Sequence, residues 1–265
     1  MELKSTFNEV AAEYDKWRPA YVPELYDDII TFSGIGKSSH LLEIGIGTGQ
    51  AATPFLEMGC HVSAVEPGDS LAAYTQEKFS CYKDFIIRNI AFEEFVWSDI
   101  SFDMIYSATA FHWIPEEIGY TKVFKLLKSG GTFARFRNHA GPDIDNKSLE
   151  KSMQKVYSKY MPDNLWGHSY NSISEYAEHV KKTCKNIVDI SKRYGFIDVD
   201  CKLYYRTRIF EAEDYMQLLG TYSDHIALGE EKIAFFQKEM TDVINDFGGK
   251  ITINDIIDLQ LSRKP

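Results

Sequence analysis

Between residues 39 and 136 the chain alternates short apolar runs with amphipathic stretches, and this alternation limits the fold more than any other feature. The runs at 40–44, 61–65, 84–87, 102–107 and 131–136 are bounded by turn residues and read as buried parallel strands. Helix-like segments fall between them at 50–58, at 70–79, briefly near 91–95, and at 116–127. The last runs into Lys128-Ser129-Gly130-Gly131, a cation and glycines where a helix end favours them. Strands alternating with helices predict an α/β fold with a doubly wound, mostly parallel sheet. An alternating run at 197–209, helical stretches at 211–219 and 230–247, and a run at 250–261 supply two closing strands, making the sheet seven-stranded.

Four segments follow from this pattern. Residues 1–36 form an N-terminal helical lid: Phe7, Val10, Ala11 and Tyr14 recur at helical spacing, then Pro23 opens a second helix carrying Leu25, Ile29 and Ile30 that Gly34 and Gly36 end. Residues 37–137 are the cofactor-binding α/β core. Residues 138–194 turn polar and helical and read as an inserted cap over the substrate site, and 195–265 complete the sheet.

The formal charge of −10 disfavours a phosphate-backbone footprint, so nucleic acid is not the expected partner and a small molecule is. Cys60, Cys81, Cys184 and Cys201 form no CxxC pair. They are expected to be buried or half-buried thiols in a reducing compartment, and no metal site is expected. Charges stand where a signal peptide needs an apolar run, and no stretch approaches the ~18 apolar residues of a membrane span. A cytoplasmic protein without a membrane partner is the expectation; oligomeric state is not legible.

The chemistry concentrates in Leu41–Gln50, LLEIGIGTGQ, where a strand runs into Gly45, Gly47 and Gly49. A strand that turns sharply into a helix needs dihedrals without a Cβ penalty, and a ligand needs close approach to the backbone. The dinucleotide fingerprint is GxGxxG, whereas here the spacing is GxGxG and Gln50 stands where the third glycine would fall. S-adenosylmethionine needs no diphosphate cradle, only room for its methionine part and a polar anchor for the ammonium. Glu43, inside the strand, suits that anchoring or is a solvated strand-end carboxylate. The second strand ends in Glu66-Pro67-Gly68, about 20 residues beyond the loop. Glu66 there accepts both ribose hydroxyls or caps the next helix.

The stretch from about Phe7 to Phe136 resembles the core of class I S-adenosylmethionine-dependent methyltransferases of the type 11/type 25 kind. Within them it is most similar to the trans-aconitate methyltransferase-like group. The pieces that carry the likeness are FNEVAAEYDKWRPAY, LLEIGIGTGQ, VSAVEPGDSL, and FDMIYSATAFHWI followed by LKSGGTFARF. The resemblance implies a Rossmann-like methyltransferase fold, S-adenosylmethionine as cofactor with S-adenosylhomocysteine as product, and in-line methyl transfer to a small-molecule acceptor. It places Gly45, Gly47, Gly49, Glu66 and Pro67 at the cofactor. Asn89, Ile90 and Ala91 fall on the adenine side, although relatives often carry an acidic residue where Asn89 stands. Ser107 and Ala108 fall on the methionine side, and Tyr14 and Arg18 in the segment that folds over it.

On the substrate side, His112 is the candidate base, or else a packed or surface loop histidine. Trp113 is a substrate contact or a core anchor. Arg135 and Arg137 are expected on opposite faces of the fifth strand, with Arg137 meeting an anionic substrate or solvent. His139, His168, Tyr170, Tyr222 and His225 are further candidate lining residues, Tyr222 foremost. The other readings of the loop are a cofactor-binding protein without catalysis and a nicotinamide-dependent oxidoreductase.

Overall fold

The computed structural model describes residues 11–97, 102–162 and 170–265, so Phe7, Val10 and His168 lie outside the described residues. Two helices precede the sheet, α1 (Ala11–Trp17) and α2 (Pro23–Ser33). α2 starts on its proline and stops at Gly34 in the left-handed region, φ 69°. Then come β1 (His40–Ile44), α3 (Thr53–Glu57), β2 (His61–Val65), α4 (Asp69–Lys78), β3 (Phe85–Arg88), β4 (Phe102–Ala108), α5 (Glu116–Leu126) and β5 (Leu127–Gly141). α6 (Lys147–Tyr160) and α7 (Ile173–Arg193) lead to β6 (Ile197–Glu211). α8 (Ala212–Gly220), α9 (Ser223–Ile226) and α10 (Glu230–Asp246) lead to β7 (Lys250–Arg263).

The strands form one seven-stranded sheet in the order β3-β2-β1-β4-β5-β7-β6. β1 to β5 pair in parallel, and β7 alone runs antiparallel, between β5 and β6. The order reverses between β1 and β4, and ligands of such sheets bind outside the carboxyl ends at that reversal. Alternate residues of the same strands enter separate cores, as a sheet covered on both faces requires. Leu41, Met104, Tyr106, Ala134 and Phe136 pack with Leu25, Ile29 and Phe55 on one face. Leu42, Ile44, Ile105 and Phe133 pack with Tyr120, Val123 and Leu126 of α5 on the other.

The sheet and its topology match the sequence expectation, and several segments differ from it in detail. The helix expected at 50–58 begins only at Thr53, because the glycine loop spends residues 46–52 in tight turns before Pro54 opens the helix. The stretch at 91–95 is a single turn closed by Phe95 N–H donating to Ala91 O, too short to be a helix. β5 extends to Gly141 because its antiparallel partner β7 continues the ladder as far as Asn254. The segment expected as a cap from 138 to 194 is thereby redrawn. Its first residues belong to the sheet, and α7 lays Tyr176, Ala177 and Val180 on Ile256 of β7. Leu149, Met153 and Val156 of α6 instead join α8 and α10 in a core of their own around Phe236 and Met240. Four free thiols are also not found: Cys184 of α7 and Cys201 of β6 are disulfide-bonded, which only their packing across the sheet brings about, while Cys60 and Cys81 are free. That pairing removes the basis on which a reducing compartment was expected. No helix among the described residues is long and apolar enough to cross a membrane.

The closing strands are locked by a buried charge. Asp255 of β7, with a side chain 0% exposed, accepts from Arg206 Nε and Nη2 and from Arg208 Nε and Nη2 at 2.6–3.1 Å. Arg206 also donates to Asn138 Oδ1 and to Ala20 O, tying β5, β6 and the N-terminal segment to one carboxylate. Removing one partner of such a cluster leaves uncompensated buried charge. Asp255→Ala is therefore expected to lower unfolding stability by about 3–5 kcal/mol in urea titration. A change within about 0.5 kcal/mol, the usual range for surface substitutions, contradicts this account of the closing strands.

Candidate cofactor and substrate site

The chain leaves β1 at Gly45 with φ 69°, and a Cβ there would stand 2.4 Å from Ala110 Cβ. Gly47 is also left-handed, φ 56°, and its open side faces the Tyr14 ring. The loop is held from behind: Thr75 Oγ1 donates to Gly47 O at 2.6 Å and Lys78 Nζ to Thr48 O at 3.0 Å. Gly49 contributes to this backing and is not on the cavity wall, since Phe79 fills the space beside it.

Glu66, at the end of β2, is 6% exposed and accepts the N–H of Gly47 on one carboxylate oxygen and that of Gly68 on the other, each at 2.9 Å. Burial pushes its carboxyl up, and the two backbone N–H groups oppose the shift. Each oxygen keeps a second lone pair, so the pair is fixed yet able to accept two further hydrogen bonds. Because Gly68 is the N-cap residue of α4, the same carboxylate also holds the start of that helix. Asn89 Nδ2 donates to Glu66 O and supports this turn from behind the cavity.

Glu43 is 1% exposed, which removes the solvated reading of that residue. Tyr106 Oη donates to Glu43 Oε2 at 2.8 Å, while buried Oε1 has no partner among the described residues. Burial pushes this carboxyl up to about 8, with Tyr106 opposing and Glu66 adding. An orphaned carboxylate oxygen on a cavity wall suits a cationic group that the cavity would hold.

The N-terminal segment closes over the loop by salt bridge and ring contacts. Asp15 of α1 meets Lys78 Nζ at 2.5 Å and accepts from Tyr74 Oη at 2.9 Å. Arg18 donates from Nε to Thr221 Oγ1 and from Nη2 to Thr221 O, both at 3.0 Å. Its guanidinium lies between the rings of Tyr14, 4.8 Å away, and Tyr222, 4.1 Å away. Arg18 is thus no free surface cation but the pin between lid and the α8–α9 turn. Tyr21 Oη bonds Thr109 Oγ1 at 2.7 Å, and Thr109 is a β-branched residue held at φ 57°.

Beyond β4, residues Phe111–Trp113 form a single 3₁₀ turn. Phe111 is buried against Tyr120 and Phe133, and this anchors His112 and Trp113 toward the cavity. Trp113 is 38% exposed and is not a core anchor. Desolvation, reinforced by Arg137, Arg135 and His139, holds His112 down at about 4, so its imidazole is neutral at physiological pH. Arg135 and Arg137 do not face opposite sides as expected. Two residues apart in one strand, they share a face. Arg135 spends its guanidinium on Tyr120 Oη and the Phe111 ring, whereas Arg137 is exposed and makes no ion pair among the described residues.

These groups surround one cavity of ≈ 550 Å³ at the carboxyl edge of the sheet, within the usual range for small-molecule sites. Of the residues expected from sequence, Tyr14, Arg18, Glu43, Gly45, Gly47, Glu66, Pro67, Ala91, Ala108, His112, Trp113, Arg137, His139 and Tyr222 line it. Gly49, Asn89, Ile90 and Ser107 do not; Ser107 Oγ is turned into the sheet, donating to Ile44 O. His225 is fully buried and Tyr170 lines a neighbouring cavity. Tyr21, Thr109, Tyr176 and Asp224 line the cavity without having been singled out. Tyr21 and Thr109 lay within FNEVAAEYDKWRPAY and FDMIYSATAFHWI, whereas Tyr176 and Asp224 carried no local signal. No cluster of His, Cys, Asp or Glu among the described residues is arranged to hold a metal ion.

The family model described as a methyltransferase domain matches residues 42–135. An uncharacterized methyltransferase of Geobacillus sp. (strain WCH70) is 30% identical over 183 residues, 65% of this chain and 84% of its own. Methyltransferases of Mycobacterium are 26% identical over 134 residues, so the match covers about half, 51%, of their length. A putative type II methyltransferase from Anaeromyxobacter dehalogenans shares the fold at TM-score 0.58 and 15% identity, over 93% of this chain and 97% of that one. The chain belongs to the class I S-adenosylmethionine-dependent methyltransferase family, of the type 11 kind.

With Glu43 as the partner of a ligand ammonium, binding is expected to depend on pH in a definite sense. Its folded carboxyl titrates near 8, above the unfolded value of about 4.3, so its contribution to stability is present below about pH 4 and is lost as pH rises through 8. A ligand ammonium at Oε1 favours the ionised form, so affinity for S-adenosylhomocysteine is expected to climb from about pH 6 to about pH 8 and then level. Isothermal titration with Glu43→Gln should give a flat profile over that interval. A flat profile in the unsubstituted chain removes Glu43 as the ammonium partner.

Proposed function

We propose that this chain transfers a methyl group from S-adenosylmethionine to a small-molecule acceptor. The observation that carries the reading is Glu66, fixed by the N–H groups of Gly47 and Gly68 with acceptor capacity left on both oxygens. In this reading Glu66 takes the two ribose hydroxyls. Gly45, Gly47 and Tyr14 border the methionine part, and Glu43 Oε1 receives its ammonium. Ala91, with Phe92 and Leu71, walls the adenine side, while Pro67 shapes the turn between the two halves. When bound, S-adenosylmethionine supplies a methyl on a cationic sulfonium, open to in-line displacement by the acceptor.

The protein's own contribution is orientation and exclusion of water. Well-oriented reactants gain about 7–11 kcal/mol in favourable cases. Tyr21, locked to Thr109, and Arg18, locked to Thr221, hold the lid over the cavity without a water-filled gap between those partners. His112, neutral and facing the cavity, accepts a hydrogen bond from an acceptor hydroxyl or amine and takes its proton as the new bond forms. Arg137, with Trp113 and Tyr222, orients the acceptor. Nothing in this assignment calls for a metal.

Two measurements test it. S-adenosylhomocysteine at 100 times its dissociation constant should stabilise the chain by ~2.7 kcal/mol, NAD should not, and Glu66→Ala should abolish the effect. Stabilisation by NAD alone contradicts the cofactor. In a labelled-methyl screen of phenols, acids and amines, His112→Ala should lower turnover on whichever acceptor reacts by about 10²-fold or more with cofactor affinity unchanged. Full turnover in that variant removes the proton-accepting role.

A further inference from the structure

Next to the main cavity lies a second one of ≈ 420 Å³, and the two share Arg137, Ala140, Tyr176 and Asp224 along their common wall. Its far side is built by elements the cofactor loop does not touch: Met153 and Tyr157 of α6, Tyr215 of α8, and Ile251 and Ile253 of β7. Tyr157, Tyr176 and Tyr215 are all buried, and the Tyr170 ring lies tilted against that of Tyr176, with centroids 4.8 Å apart. Four tyrosine rings therefore wall a chamber continuous with the place where an acceptor must sit.

Carboxylates outnumber cations on this chamber's wall, with Asp143, Glu150 and Asp224 against Arg137. Asp143 is 5% exposed and spends its two oxygens on the backbone N–H groups of Asn146 and Thr252, at 3.1 and 3.0 Å. Glu150 is half-buried and receives only an amide N–H, from Gln154 at 3.2 Å. It makes no ion pair with a described residue. Burial pushes Glu150 up from the ordinary carboxylate range and Asp143 adds to this, with Gln154 opposing. A carboxyl in that setting lacks a positive partner. Arg137 does not supply one to the chamber alone, because it stands at the shared wall with Asp224 beside it.

Aromatic faces around an uncompensated carboxylate are what an organic ammonium group needs: ring quadrupoles attract it and the carboxylate pairs with it. We propose that the second chamber is a distal acceptor subsite, that it takes an organic ammonium group through Glu150 and the surrounding tyrosines, and that the methylated end of the same acceptor lies past Arg137 in the main cavity. This rests on the methyltransferase reading for the direction of the acceptor, while the chamber's preference for a cation stands independently of it.

The test uses three probes of closely matched shape: phenethylammonium, the neutral 2-phenylethanol and the anionic phenylacetate. Binding is measured by isothermal titration to the full chain, with and without saturating S-adenosylhomocysteine. Phenethylammonium is expected to bind about tenfold more tightly than 2-phenylethanol, and Glu150→Gln to bring the two to parity. Met153→Trp, which fills the chamber, should abolish phenethylammonium binding. Both variants should keep the affinity for S-adenosylhomocysteine, which also reports that they fold. Equal binding of the neutral probe, tighter binding of phenylacetate, or binding that survives Met153→Trp each overturns the subsite. Failure of every probe while S-adenosylhomocysteine binds overturns it too and leaves the cofactor reading standing. Binding of phenethylammonium with no binding of S-adenosylhomocysteine supports the chamber and overturns the cofactor reading instead.

Discussion

Ala110 occupies the space that a side chain on Gly45 would need. Because the chain can turn there, the end of β4 comes against the end of β1, and the loop that follows is free to curl toward β2. That curl puts the Gly47 N–H on Glu66, and the same carboxylate reaches the Gly68 N–H at the start of α4. The ends of β1 and β2 are thereby fastened around one acidic group, with the end of β4 set against β1 at Gly45, and the other contacts of the cavity are arranged about them. Tyr14 and Arg18 lie over the loop, Glu43 lies beneath it, and His112 follows from where β4 has been made to stop.

Buried charge is used in two ways in this chain. Asp255 is fully enclosed yet satisfied, with two guanidinium groups and an asparagine amide around it. Glu43 is enclosed and Glu150 half-buried, neither with a cation, and both carboxyls are pushed up accordingly. The contrast separates structure from recognition. Asp255 closes the sheet and needs no ligand, whereas a carboxylate left short of its partner gains more from a cationic ligand than a satisfied one does.

The parallel half of the fold was legible because its signals are local. Each of β1 and β2 is a short apolar run with turn residues on both sides, and both appear where the pattern puts them. Glu66 was legible for the same reason, as a carboxylate at a strand end at a fixed distance from a glycine loop. What could not be read are pairings made across the sheet. Cys184 and Cys201 lie 17 residues apart with no spacing rule, and β5 is lengthened by a partner more than a hundred residues away. Tyr176 and Asp224 reach the cavity from α7 and α9, and nothing in their neighbourhoods marks them. Arg135 and Arg137 are a different matter, since strand geometry alone puts residues two apart on one face.

The N-terminal lid is fastened by parts of the chain made long after it. Arg18 is held by Thr221, 203 residues away, and Ala20 is held by Arg206, 186 residues away. During synthesis the glycine loop and its parallel strands emerge, and can pair, well before either tether exists. Closing such long loops is slow and entropically costly, so the parallel core has time to form first. Asp15 and Tyr21 are tied to Lys78 and Thr109 within the parallel half, so the lid is anchored at both the first and the last parts of the chain. A cut after β5 would release Arg18 and Ala20 while leaving those two anchors in place.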